Sequence, residues 1–274
     1  MPAAAIGTYS LAQWLLFFYI YCLIGWCFES TVVSVGQRKW VNRGFMRGPV
    51  LPIYGSGAMV ILISTLPIRE NFVLTYLCGA LAATLLEYVT GVCMEALFQV
   101  RYWDYSQKKF NFQGHICLSS TIVWGFLSLL MVNVVHLPIE RMVLKLPEPL
   151  TSGLAFVITA LFAADFTSSF RTAIDLKELL MRSEKLQEEL LALQLRAEQL
   201  EALVEREKEK FSQEREKFTL ELQSVHEKQL INLEKLRSRV SADKIRLLGR
   251  NPSALSRKYR GTLERLREHH SLHD

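Results

Sequence analysis

Three carboxylates, Glu29, Glu87 and Asp165, stand inside stretches of sequence that are otherwise apolar. An unpaired charge in hydrocarbon costs about 3 kcal/mol or more, so such groups face a partner or a water-filled space. Their comparable depths in the three stretches predict one shared polar layer, a candidate passage. Glu95 joins them by pattern: Gly79, Ala83, Glu87, Gly91 and Glu95 recur every four residues, which places them on one stripe of a helix. Small residues at that spacing let a second helix approach closely. Gly25, four residues before Glu29, repeats the idea in short form.

The natural counter-charges are Arg43, Arg47, Arg101 and His115, with Arg171 beyond them, all near the ends of the apolar stretches. Arginine suits bidentate pairing with carboxylate or phosphate. Three roles are open: pairing of Arg43 and Arg47 with Glu29 and Glu87, contact of Arg43, Arg47, Arg101 and His115 with an anion or lipid headgroup, and simple anchoring at the membrane surface. Glu87, Glu95, Asp104 and His115 are the acid/base groups a membrane enzyme would need, but no recognised catalytic spacing links them. No catalytic residue is therefore expected, and the chain is read as not an enzyme. The five cysteines form no Cys-x-x-Cys pair and no Cys/His cluster, so no metal, cofactor or disulfide framework is expected.

The elements that position these residues are read from composition. Residues 1–170 hold 10 Lys/Arg and 8 Asp/Glu, while residues 171–274 hold 22 and 19. An apolar block thus precedes a charged one. Within the first, spans are expected at about 11–35, 50–67, 72–96, 116–136 and 150–170, each near the ~20 residues that cross a bilayer. The second is short and interrupted by Pro49, Pro52, Gly55 and Gly57; its irregular backbone must be shielded by protein or a polar cavity. Basic residues cluster at Arg38–Arg47 and Arg101–Lys109 and in the tail. The positive-inside rule then puts the N-terminus outside and the C-terminus in the cytoplasm.

The two basic loops resemble each other. Arg38-Lys39-Trp40 leads to Gly44, and Lys108-Lys109-Phe110 leads to Gly114; eleven residues after each glycine come Tyr54-Gly55 and Trp124-Gly125. Spans 1–2 and 3–4 are on this reading parallel repeats, an arrangement some transporters use. Independent basic-aromatic interface loops would give the same pattern.

Asn42-Arg43-Gly44-Phe45-Met46-Arg47-Gly48-Pro49, running into Pro52-Ile53-Tyr54-Gly55, resembles the ABC-transporter type IV (CmpB-like) family of bacterial membrane permeases. So do Trp103-Asp104-Tyr105-Ser106, the run Asn111 to Gly114, and Trp124-Gly125. The resemblance covers about residues 12–170. It implies a multi-pass protein of the bacterial cell membrane, labelled a permease, with no established catalytic residues. The chain has no Gly-x-x-x-x-Gly-Lys-Ser/Thr motif, so an ATPase subunit would have to be separate.

From Thr172 to Leu248 there is neither proline nor glycine, which predicts a helix of about 115 Å. Leu179, Leu186, Leu193 and Leu200 alternate with Leu176, Leu190, Ala197 and Val204 as heptad core positions. That pattern predicts a cytoplasmic coiled coil over 171–248, with a parallel homodimer as the simplest pairing and a fold-back as an alternative. The basic segment 249–274 can touch anionic lipid; no nucleic-acid fold signature is present, so nucleic acid is not an expected partner. The expected fold is all-α: a five-span bundle followed by a coiled coil. The expected function is a permease-like transport component of unknown substrate. The alternatives are a membrane scaffold or sensor recruiting a partner through its coiled coil, and an enzyme acting on a lipid phosphate.

Overall fold

The computed structural model describes residues 9–206 and 212–238 and positions 247, 250 and 261. The chain divides into two compact units, 1–173 with 247–255, and 174–246 with 256–274.

Unit 1 is built from apolar helices. α1 (Leu11–Gln37) starts in a capping box, Ser10 accepting from the Gln13 amide while the Gln13 side chain accepts from the Ser10 amide. This satisfies donors that the first turn leaves open. α2 (Pro52–Thr65) begins with Pro52 in its first turn, where a missing N–H costs nothing. The expected interruption is therefore a late start, with Pro49 and Gly48 in the preceding loop. A 3₁₀ turn, Leu66–Ile68, and α3 (Phe72–Phe98) follow. A short hairpin comes next, β1 (Asn111–Phe112) and β2 (Ile116–Cys117), paired antiparallel.

The fourth apolar segment runs as α4 (Leu118–Leu130), a π-helical turn at Met131–Val135 and α5 (His136–Leu144). It was expected to end at residue 136. Pro138 lacks an amide and would press on the Val134 carbonyl of a regular helix; the wider π turn just before it absorbs this, and the helix continues. α6 (Glu148–Arg206) starts inside unit 1 and leaves it after Ala173.

Among the described residues, four helices are long and apolar enough to cross a membrane: α1, α3, Leu118–Leu144 and α6 within Glu148–Leu203; the shorter Pro52–Ile68 is apolar as well. The core lies where α1, α2, the π turn and α5 meet, with Phe17, Leu62, Val132 and Val143 almost wholly enclosed. Outward faces stay apolar, as at Leu81, Leu85, Phe126, Phe156 and Leu161, which suits a lipid surround. The stripe on α3 is buried as its spacing predicts: Gly79, Ala83, Glu87 and Gly91 all face inward.

In unit 2 the heptad positions Leu176 and Leu179 of α6 are buried, as is Leu180 beside them. α7 (Ser212–Ser238) follows, with Gln229 buried on one face. Residues 207–211 and 239–246 of the expected 171–248 coiled coil, and most of the expected 249–274 basic tail, lie outside the described residues. Leu247 belongs to unit 1.

Candidate functional site

Both loops on the C-terminal side of α1 and α3 return along the helix they leave. In the first, residues 38–51, the Leu51 amide donates to the Cys22 carbonyl at 3.0 Å. Cys22 lies fifteen residues before the end of α1, so the loop climbs back about 22 Å. On the way the Trp26 indole donates to Asn42 at 2.6 Å and the Arg43 amide to Ser30 at 3.1 Å. Gly44 has φ +126°, a conformation a Cβ would strain. In the second, residues 99–117, Tyr105 reaches Glu87, eleven residues inside the end of α3. Gly114, at φ +74°, is hemmed in by Ser106, Arg101 and Asp104.

These returning loops supply the partners of the carboxylates. Glu29 accepts from the Tyr54 hydroxyl at 2.7 Å and from Arg43 Nε at 3.4 Å. Glu87, 6 % exposed, accepts from the Trp124 indole at 3.0 Å, the Tyr105 hydroxyl at 3.1 Å and Ser120 at 3.4 Å. The Tyr54 and Trp124 rings lie 6.4 Å apart, and Tyr105 is within electrostatic reach of both glutamates. Burial pushes the Tyr105 phenol well above its ordinary range, and the Glu87 carboxylate adds to this. Glu29 and Glu87 thus belong to one polar and aromatic layer.

The two halves match as the loop spacing suggests. In each, the aromatic residue before the later glycine, Tyr54 or Trp124, donates to the glutamate of the preceding helix. The loop glycines Gly44 and Gly114 both have positive φ. That pairing is the part of the repeat that spacing alone leaves unseen.

Asp165 stands apart from this layer. It accepts from the backbone amides of Gly48 at 2.8 Å and Arg47 at 3.2 Å and from Ser169 at 3.3 Å. No hydrogen bond joins it to Glu29 or Glu87 among the described residues, so the expected single layer of three holds for two. Asp165 instead ties the first loop to α6.

Glu95 lies at the centre of a second cluster. It pairs with Arg101 at 2.8 Å and with His115 Nε2 at 3.1 Å, while Arg101 also reaches Asp104 at 3.3 Å. Arg101 and His115 are 3 % and 4 % exposed. They face carboxylates inside the protein, not a surface anion. The Trp103 indole donates to the His115 carbonyl at 2.9 Å, and Gly91 leaves room for both side chains. Burial alone would raise the Asp104 carboxyl; hydrogen bonds from Ser106 and the Arg101 guanidinium outweigh it and hold it below the usual carboxylate range. A depressed value means that this stabilisation is complete above about pH 4 and is lost as pH falls through the folded-state value. The melting-temperature gap between wild type and Asp104→Asn is accordingly expected to close on acidification; a gap independent of pH excludes the assignment.

Two functional-site contacts have no sequence signal of the kind used above. Arg250 donates to the Met46 carbonyl at 2.7 Å, and Arg43 donates to the Arg250 carbonyl at 3.1 Å. His136, buried in α5, has Nδ1 2.8 Å from the Tyr21 hydroxyl. The first joins residues 207 apart and the second joins two buried residues 115 apart, and no pattern reports either.

Residues 16–170 match the family model described as Putative ABC-transporter type IV. The chain belongs to this family. No curated protein and no solved structure matches it. The family segment takes in both returning loops, both glutamates of the polar layer, the Glu95 cluster and Asp165, and it ends within α6. Unit 2 lies beyond it. Family and apolar helices together make this a membrane protein of transporter type.

Proposed function

We propose that unit 1 is the permease-like part of a transport system, energised by a separate ATPase subunit, with Pro52–Ile68 as a fifth, central membrane element. The observation that carries this reading is the linked layer of Glu29, Tyr54, Trp124, Glu87 and Tyr105 inside the bundle. Buried carboxylates held by hydroxyl and indole donors are costly in a membrane, and such groups mark ion and substrate paths. Arg43 stands where the first loop meets this layer, and Arg47 where the same loop meets α6. The N-terminus is outside and the C-terminus cytoplasmic, in a bacterial cell membrane.

A second reading has its own support. Every carboxylate of the layer has a partner, which suits a bundle that anchors while the heptads of α6 pair, with α7 or with a second copy, to recruit a soluble protein. One experiment separates the two. Glu87→Gln keeps the size, its amide oxygen can still accept from Trp124 and Ser120, and its NH2 can donate to the Tyr105 hydroxyl oxygen; transport predicts a folded protein with its substrate-dependent phenotype abolished. A wild-type phenotype for Glu87→Gln, with function abolished by deleting residues 176–246, rejects transport in favour of the scaffold.

A further inference from the structure

With Arg43, Arg101 and His115 turned toward carboxylates and backbone carbonyls, lipid contact falls to different residues. The turn Lys108-Lys109-Phe110-Asn111-Phe112 is the best defined. Phe110 has φ +54° and is 81 % exposed. A bulky residue in the left-handed region is strained, and such strain persists only where the surroundings fix it. They do so here. The Lys108 amide donates to the Tyr105 carbonyl at 2.8 Å and the Leu118 amide to the Phe110 carbonyl at 3.1 Å. The Asn111 amide group donates to the Lys108 carbonyl at 2.8 Å, and the Gly114 amide donates back to Asn111 at 3.1 Å. The chain holds a strained phenylalanine rigidly in the open.

Its depth shows what it meets. The Phe112 ring packs against Tyr88 at 5.5 Å, and the Tyr88 hydroxyl donates to Gln113 at 3.2 Å. Tyr88 lies ten residues before the end of α3, about 15 Å along the helix. Neighbouring outward residues there, Leu81, Leu85 and Val89, are bare and apolar. The hairpin therefore lies against the lipid-facing side of α3. Lys108 and Lys109 beside it are exposed and have no carboxylate partner among the described residues. The first loop carries the same device: Trp40, 73 % exposed, follows Lys39 and packs on Trp26, eleven residues inside the end of α1.

We propose that the Lys108–Phe112 turn is a preformed binding site for an anionic phospholipid, with Phe110 and Phe112 among the acyl chains and Lys108 and Lys109 on the headgroup phosphate. Apolar rings with adjacent lysines match the two halves of such a lipid. The site is independent of whether the bundle transports.

The test is thermal unfolding of the full chain in neutral detergent, with added phosphatidylglycerol or phosphatidylcholine. A ligand that binds only the folded state raises the melting temperature. Wild type is expected to be raised more by phosphatidylglycerol than by phosphatidylcholine. Phe110→Gly relieves the backbone strain, so its melting temperature without lipid should equal or exceed wild type, while the phosphatidylglycerol-specific rise is lost. Lys108→Gln with Lys109→Gln should bring the two lipids' effects level. Equal effects of both lipids on wild type, a Phe110→Gly protein less stable than wild type without lipid, or retention of the specific rise in either variant overturns the proposal.

Discussion

Arg101→Met should melt well below wild type, with a loss of about 2–3 kcal/mol. Its guanidinium spans two carboxylates, Glu95 at 2.8 Å and Asp104 at 3.3 Å, and only 2 % of the side chain is exposed. Removing one member of a buried pair leaves the other charge uncompensated, which typically costs about 3–5 kcal/mol. The lower figure applies because Glu95 and Asp104 keep 25 % and 21 % of their side-chain surface, so water screens part of the orphaned charge. Arg101→Lys should fall between, since a single ammonium lacks the fork that reaches both acids. The loss should concentrate in residues 99–117, because Gly114, Asp104 and Ser106 close around the guanidinium. Hydrogen exchange of the amides of Tyr105 and His115 measures this. Unchanged protection there, or a Met variant as stable as wild type, contradicts the account.

Gly55→Leu should separate α1 from α2. A Cβ at this position would lie 2.7 Å from the Phe18 carbonyl oxygen and would overlap Cys22 Sγ. The carbonyl is backbone and cannot swing aside, so the helices must move. Overpacking of this kind costs about 1–3 kcal/mol, sometimes more, and the fixed carbonyl puts Leu at the top of that range. Tyr54 is the preceding residue, and its hydrogen bond to Glu29 should be lost as α2 shifts. Gly57→Leu is the internal control, because the nearest atom there is the end of the Leu86 side chain at 3.9 Å. Melting in detergent should therefore drop strongly for Gly55→Leu and little for Gly57→Leu. Equal losses at the two positions refute the close-approach argument.

The amino-acid pattern was enough to give the apolar block, the approximate ends of its helices, the inward stripe of α3 and the matched loops around Gly44 and Gly114. Each of these follows from periodicity or from local backbone demands, which are properties of neighbouring residues. Where Pro138 lay in the fourth segment, that reasoning ended the helix too early. The π turn that accommodates it depends on how the surrounding helices hold the wider turn.

Tertiary structure alone decided which charge meets which. Arg101 and His115 stood as headgroup contacts by sequence, and the depth of the second loop's return puts them on Glu95 instead. Asp165 shares its depth with the two glutamates by count, yet it closes on the amides of Arg47 and Gly48, more than a hundred residues earlier in the chain. The contacts of Arg250 with Met46 and Arg43 were invisible for the same reason. Periodicity says which face of a helix is turned inward; it carries no information about what the opposing chain places there.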